Sequence, residues 1–353
     1  MTFRPMGDRI AGELERRQAL AARALNYHHT FLDDYLRAIL PHDLVLLGAP
    51  PGVGKTNLAL AIAAANARAE MRAHFFALEA EPDELERRMK YSMLAYELLA
   101  ARSPRFGDLN YTDWYLGRCE EFCGPLNAIV DRRIAAELAT MFTFYRGQKF
   151  GAQDLTRAIL EVSDESDLIV IDHLHYVDAE ENEDENRAVT DLIMTIRDLT
   201  LRIGKPCLCV AHLRKRDERV HKLMPSLYDF HGTSNLTKVC THVVTLERAL
   251  DVEAPKWYLL PTYVAISKDR RSGAPPYVAL QNFDVRTRAY QDEYTLGRAS
   301  GRKWEELKLG SVPGWARHHR PIANDGTPSR QATLAVADQG DIPHAANDAR
   351  YRQ

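Results

Sequence analysis

Residues 52–57, Gly-Val-Gly-Lys-Thr-Asn, combine two glycines with a lysine and a hydroxyl side chain. Glycines let backbone N–H groups approach phosphate oxygens without an intervening Cβ. Lys55 can reach the β- and γ-phosphates of a nucleotide, and the Thr56 hydroxyl can hold Mg²⁺. The residue types therefore predict a site for a nucleoside triphosphate and its metal ion.

The segments on either side of this loop support that interpretation. Residues 44–47 are an apolar run that predicts a buried strand, and residues 58–69 are rich in the strong helix formers Ala and Leu. Strand, glycine loop, Gly-Lys-Thr and helix form the P-loop arrangement, which places phosphates at a helix N-terminus. A Gly/Pro loop that merely joins a strand to a helix is the alternative. Ala49 stands at the first glycine position of the pattern, and the predicted nucleotide-binding residues are Ala49, Pro50, Pro51, Gly52, Val53, Gly54, Lys55, Thr56 and Asn57.

Two carboxylates follow predicted strands. Glu79 follows the apolar residues 74–78, and Asp172 follows the run 168–171. Ligands of parallel α/β folds bind at the carboxyl ends of strands, so Glu79 could polarise the water that attacks a γ-phosphate, and Asp172 could organise the Mg²⁺ shell. The alternatives are helix-start roles, and residues 81–84 fit such a role better than Glu79 does.

A third polar strand end is His212, which follows the buried run 207–211 and could sense a γ-phosphate or be purely structural. The segment 213–235 comes next and contains the densest cationic cluster of the folded part. It could contact the phosphates of a nucleic-acid strand, or be a solvated basic loop. Its cations are Arg214, Lys215, Arg216, Arg219 and Lys222.

Composition narrows the class of protein. The chain has 353 residues, 45% hydrophobic and 27% charged, which is ordinary for a soluble protein. A net charge of −3 gives no global attraction to nucleic acid, so such a surface must be local. The five cysteines lack disulfide spacing and no apolar run is long enough to cross a membrane, so we expect a cytoplasmic protein without a membrane partner.

The order of predicted elements indicates an α/β fold with a mostly parallel central sheet flanked by helices. Residues 84–160 are predicted to be mostly helical. We expect three units: a linker or oligomerisation helix within 1–29, an ATPase domain at 30–300 and a flexible tail at 301–353. The amphipathic helix is predicted at 8–26, and further strands are predicted at 243–246, 263–266 and 277–280.

In this order, the motifs resemble the RecA-fold core of hexameric replicative helicases, namely the DnaB-like group and the helicase half of phage primase-helicases. The resemblance runs from about residue 30 to residue 292. It is carried by residues 48–56 (P-loop), 75–79 (catalytic glutamate), 169–175 (Walker B), 210–215 (sensor), 229–234 (DNA loop) and 268–273 (a Lys-x-Arg turn).

The resemblance implies an ATP hydrolase that uses Mg²⁺ to move 5′ to 3′ along single-stranded DNA as a homo-hexameric ring in DNA replication. It implies that Glu79 activates water and that His212 reports the γ-phosphate to the DNA loop. It also implies that Arg270, with Lys268, reaches the γ-phosphate of the adjacent subunit. Three positions of the DNA-loop block join the basic cluster as implied DNA contacts: His231, Gly232 and Ser234.

Partners implied by the family are a replication initiator, a loader or a primase. Since residues 1–29 alone precede the core, we expect a compact helicase of plasmid or phage type. The helix 8–26 could pack on its own domain or on a neighbouring subunit, and under the ring interpretation we expect it to dock on the neighbour. The alternative function is a non-translocating, recombinase-like ATPase that acts as a DNA-binding switch, loader or regulator. The segment 214–235 separates the two, because only a translocating ring needs its phosphate contacts.

Overall fold

The computed structural model describes residues 3, 5–147, 149–179, 185–213, 229–230, 238–273, 277–300 and 303–322. The helices in this part are α1 (Met6–Ile10), α2 (Glu13–Ala21), α3 (Thr30–Leu36), α4 (Lys55–Arg68), α5 (Glu84–Ala100), α6 (Tyr111–Tyr115), α7 (Glu120–Glu137), α8 (Ala152–Val162) and α9 (Glu185–Ile203). The strands are β1 (Leu44–Ala49), β2 (Ala73–Ala77), β3 (Met141–Tyr145), β4 (Leu168–Asp172), β5 (Cys207–His212), β6 (His242–Arg248), β7 (Leu259–Asp269), β8 (Val278–Asp284), β9 (Ala289–Ser300) and β10 (Lys303–Glu306).

All of these strands form one sheet in the order β10-β9-β8-β7-β6-β1-β5-β4-β2-β3. The six strands from β6 to β3 are parallel to their neighbours, and the four from β7 to β10 are added antiparallel. The expected α/β fold with a mostly parallel central sheet is therefore confirmed.

The central strands are apolar along their whole length because helices cover both faces of the sheet. In β1, Val45 and Leu47 belong to the core on the face of α3, α4 and α5, whereas Leu44 and Leu46 belong to the core on the face of α8 and α9. Because both faces of these strands are covered by apolar side chains, the strands can present polar side chains to a ligand only at their ends.

Strand register brings those ends together along one edge of the sheet. Ala49 at the end of β1 lies opposite His212 at the end of β5, and Ala77 at the end of β2 lies opposite Asp172 at the end of β4. Since β5 and β4 are also neighbours, four strand ends meet at the carboxyl edge of the parallel sheet. This is the edge at which parallel α/β folds bind ligands.

One expectation about the elements was wrong. The helix predicted at 8–26 is two helices separated at Gly12, which adopts φ 72°, and α2 ends at Ala21. The segment 84–160 is mostly helical, as predicted, and also contains the half-exposed edge strand β3. Among the described residues, none of the helices combines the length and the apolar character that a membrane span requires.

The flexible tail predicted from residue 301 is wrong for residues 303–322, which pack on the domain. Strand β10 pairs with β9, and the Trp304 indole donates a hydrogen bond to the Val278 carbonyl at 3.2 Å. The buried Asp34 carboxylate accepts a hydrogen bond from the Tyr294 hydroxyl at 2.8 Å and contacts His318 Nδ1 at 3.0 Å. A buried carboxylate needs such partners, so Asp34 anchors this segment. Residues 323–353 lie outside the described part.

Candidate active site

The loop between β1 and α4 has the backbone geometry of a phosphate site. Gly52 and Gly54 have φ of 77° and 101°, in the left-handed region that favours glycine. The Gly54 carbonyl accepts the first helical hydrogen bond, from Leu58, so the amides of the first turn of α4 remain for a ligand. Partial positive charge at this helix end favours an anion.

Lys55 begins α4 and lies inside the site, with only 6% of its surface exposed. Burial lowers the pKa of the Lys55 ammonium, and the charges of Glu79 and Asp172 act in the opposite direction. A buried cation is costly unless anions surround it, and a bound triphosphate would add more negative charge. The lysine is therefore positioned to neutralise phosphate oxygens.

Asp172, at the end of β4, is 2% exposed, and its carboxylate hydrogen-bonds to the Thr56 side chain. Burial raises the pKa of Asp172 to about 6. The Oδ1 atom has no hydrogen-bond partner among the described residues. A carboxylate oxygen without a partner, next to a hydroxyl, matches the oxygen donors that Mg²⁺ prefers, so the residues present fit this ion.

Glu79 follows β2, two residues beyond the last strand residue Ala77, and its side chain is exposed toward the pocket. Its backbone N–H donates to the Asp172 carbonyl at 3.4 Å, which ties the two strand ends together. The Tyr176 hydroxyl donates to Glu79 Oε1 at 3.4 Å. The carboxylate is thus held beside the phosphate site and remains in contact with solvent.

His212 ends β5 and packs against His173, with ring centroids 3.9 Å apart. Burial, together with His212 and His175, holds the pKa of His173 far below its usual range. His212 lines the same pocket as Lys55 and Glu79, so the structure brings the residue that the sequence suggested as a sensor next to these two side chains.

These groups line a cavity of about 780 Å³. Of the predicted nucleotide-binding residues, six line it: Pro51, Gly52, Gly54, Lys55, Thr56 and Asn57. Ala49, Pro50 and Val53 do not, since Ala49 and Val53 turn their side chains into the core.

Several cations of the cavity were missed by sequence reasoning. Arg88 lies 3.3 Å from Asn57 Oδ1, and Arg248 donates to the Gly52 carbonyl at 3.3 Å. The Arg288 guanidinium stacks on the Tyr111 ring at 4.0 Å from the ring centroid. These residues come from different elements and carry no motif; the one local signal is the i, i+4 pair of Arg88 with Glu84 on α5.

The turn with Lys268 and Arg270 lies at the opposite edge of the sheet. Asp269 pairs with His242 at the start of β6, and His242 flanks Val45 at the start of β1. Lys268 donates to the Lys238 carbonyl at 2.7 Å. Since β1 spans six residues at a rise of ~3.3 Å, this turn is roughly 17 Å from the P-loop of its own chain.

The predicted DNA contacts lie outside the described residues: Arg214, Lys215, Arg216, Arg219, Lys222, His231, Gly232 and Ser234. The described chain enters this segment at Leu213, directly after His212. Leu213 pairs with Phe230, so these two described residues lie together at the edge where the cavity lies.

The sheet, the P-loop and the two strand-end carboxylates define a P-loop ATPase of RecA-like fold. Residues 25–291 match the model of the DnaB-like helicase C terminal domain, so the chain belongs to that family. As a member of this family, the chain is a helicase-type ATPase. The comparison with curated proteins found no match.

Two of the solved structures that match the chain illustrate the shared fold. The first is an ATPase domain, which aligns with a TM-score of 0.67 at 15% identity, over 82% of this chain and 99% of that one. The second is a DnaB-like replicative helicase, described with its interactions with primase. It aligns with a TM-score of 0.62 at 16% identity, over 74% of this chain and 60% of that one.

Proposed function

We propose that this protein hydrolyses ATP with Mg²⁺ to move along single-stranded DNA, in the 5′ to 3′ direction, as a homo-hexameric ring in plasmid or phage replication. The observation that supports the proposal is that the candidate residues for ATP hydrolysis lie in two groups at opposite edges of the sheet. Lys55, Asp172 and Glu79 meet at the carboxyl edge, whereas Lys268 and Arg270 lie at the other.

At the carboxyl edge, the amides of the P-loop and Lys55 bind and orient the phosphates. Thr56 and Asp172 would hold Mg²⁺, which supplies charge neutralisation at the β- and γ-phosphate oxygens. Glu79 orients the attacking water and accepts its proton, a role that its solvent contact and its proximity to Asp172 support. His212 passes the state of the γ-phosphate to the segment that begins at residue 214.

At the opposite edge, Arg270 would complete the site of a neighbouring subunit. A cation roughly 17 Å from its own P-loop cannot stabilise charge there, but a ring of subunits placed head to tail brings this edge to the next carboxyl edge. An arginine supplied in trans makes ATP turnover depend on assembly. The apolar side chains of Met6, Ile10 and Leu14 are exposed, and in such a ring they would contact a neighbouring subunit.

The test is ATP hydrolysis measured with and without single-stranded DNA over a range of protein concentrations. A ring motor predicts a rate that rises steeply with concentration and rises again with DNA. The double variant Lys215→Ala/Arg216→Ala should lose DNA stimulation and keep basal turnover. The control Arg132→Ala/Lys303→Ala removes equal charge from exposed positions on α7 and β10 and should keep the stimulation. A rate independent of concentration and of DNA would instead indicate the non-translocating switch.

A further inference from the structure

Beside the phosphate site, the carboxyl ends of β2, β4 and β5 bring a carboxylate and two imidazoles together. One ligand atom each of Glu79, His173 and His212 lies within 4.8 Å of the other two. We propose that these three side chains form a binding site for a transition-metal ion of the Zn²⁺ class, whose occupancy withdraws Glu79 from the attacking water. The second part, inhibition, rests on the proposed role of Glu79 in hydrolysis.

The donor set distinguishes this site from the Mg²⁺ position at Thr56 and Asp172. Two imidazole nitrogens and one carboxylate oxygen suit Zn²⁺, Co²⁺ or Ni²⁺, whereas Mg²⁺ selects oxygen donors. Two histidines and one glutamate with an open fourth position are a known ligand set of protein-bound Zn²⁺. The two sites therefore select different ions although Thr56, Asp172, Glu79 and His212 all line one cavity.

The spacing is close to what such an ion requires. Tetrahedral coordination with bonds of ~2.0–2.1 Å places ligand atoms roughly 3.4 Å apart, so the present atoms must close by about 1.4 Å at most. Glu79 is exposed and can make this movement, since its one described side-chain contact is the 3.4 Å hydrogen bond from Tyr176. The imidazoles already contact each other through their rings.

His173 provides the rigid part of the site. Its side chain is 0% exposed, and its Nε2 atom has no hydrogen-bond partner among the described residues. Its Nδ1 atom accepts a hydrogen bond from the His175 backbone N–H at 3.4 Å and lies 3.3 Å from Nδ1 of His175, and the Ala211 backbone is a further polar neighbour of the ring. These contacts fix the orientation of the ring. A buried imidazole that is held in this way and has an unpartnered Nε2 atom is an independent sign of a ligand.

Binding is tested with Co²⁺ on the full-length, untagged protein in buffer free of Mg²⁺ and nucleotide. We expect saturable binding of one Co²⁺ per chain with visible ligand-field absorption, and displacement by Zn²⁺. Glu79→Gln, an exposed change that preserves the fold, should weaken binding at least tenfold, and His212→Ala should do the same. The control His42→Asn changes a histidine at the other edge of the sheet, where φ is 70° and asparagine is tolerated; it should bind like the wild type.

Inhibition is measured separately, as the ratio of ATPase rates with and without Zn²⁺ in excess Mg²⁺. The wild-type rate should fall in proportion to occupancy measured by Co²⁺ displacement. Absence of the absorption bands, or equal binding by wild type and Glu79→Gln, would overturn the metal site. The proposed ATP hydrolysis by a ring of subunits would be unaffected, and the contact between the histidine rings would then be packing only. Binding without inhibition would establish the site and contradict the role of Glu79 in hydrolysis.

Discussion

Replacing Asp172 with asparagine should stabilise the nucleotide-free protein at pH 8 while it removes ATPase activity. The carboxylate is 2% exposed and has an unpartnered oxygen among the described residues, so it is ionised at a cost that bound Mg²⁺ would offset. Asparagine keeps the shape and can still accept the hydrogen bond from Thr56. It carries no charge, so it contributes nothing comparable to metal binding.

The magnitude follows from the pKa of Asp172, which burial raises from 3.8 to about 6. Because the folded value is the higher one, the stability due to the neutral carboxyl is fully present below pH 3.8 and is lost as the pH rises through about 6. A difference of about 2 pKa units corresponds to about 3 kcal/mol in the free energy of unfolding at pH 8. Near pH 4 the gain of Asp172→Asn over wild type should be less than ~1 kcal/mol, since the folded wild type is then neutral.

The assay is urea unfolding of both proteins at pH 4 and pH 8 in EDTA, followed by circular dichroism. Asp167→Asn is the matched control: it changes a carboxylate just before the same strand that already accepts a hydrogen bond from the Arg72 N–H at 3.0 Å, so no gain is expected. Equal stability of Asp172→Asn and wild type at pH 8, or a gain that does not depend on pH, would refute the argument that a buried charge is held in place for the metal ion.

Three further substitutions test the site and its support. Gly48→Ala would place a Cβ 2.4 Å from the ring of the buried Phe230, so the free energy of unfolding, measured with urea, should fall by about 1–3 kcal/mol. The control Gly310→Ala has open space around it and should leave this free energy unchanged. An unchanged stability of Gly48→Ala would contradict the packing of Phe230 against Gly48. Lys55→Ala should lower kcat by roughly 10²–10³-fold in a coupled ATPase assay without unfolding the protein, and retention of full activity would end the ATPase account. Glu79→Gln should lower kcat by roughly 10²–10⁴-fold with nucleotide affinity retained, and a loss confined to binding would show that the carboxylate is not the base.

The strands that could be predicted from the sequence are those that helices cover on both faces of the sheet. Strands such as β1 and β4 are continuous apolar runs because helices cover both faces, so a run of four residues located each one. Strand β3 was missed because it is a five-residue edge strand between helices, where Phe142 and Phe144 are half-exposed, and the whole segment was predicted to be mostly helical. The ordered segment after residue 301 was missed because contacts with distant residues hold it, such as the buried carboxylate of Asp34 and the pairing of β10 with β9.

The candidate site likewise contains residues that the sequence predicted and residues that it missed. Lys55, Asp172 and His212 were predictable because strand ends and a glycine loop mark them locally. Arg286 and Arg288, which also line the cavity, were not, because they lie in the turn between β8 and β9, which carries no motif. The neighbouring histidines His173 and His175 had no signal apart from their proximity to Asp172.

The central claim, one ATPase site shared by two subunits, is tested most directly by mixing two inactive variants. Lys55→Ala lacks its own site but keeps the arginine at the opposite edge, and Arg270→Ala has the reverse defect and should lose roughly 10³-fold or more in rate. If subunits assemble at random in an equal mixture, roughly a quarter of interfaces combine an intact P-loop with an intact arginine. We therefore predict that the mixture regains about a quarter of the wild-type ATPase rate. A mixture as inactive as its two components, or an Arg270→Ala protein as active as wild type, would contradict the shared site.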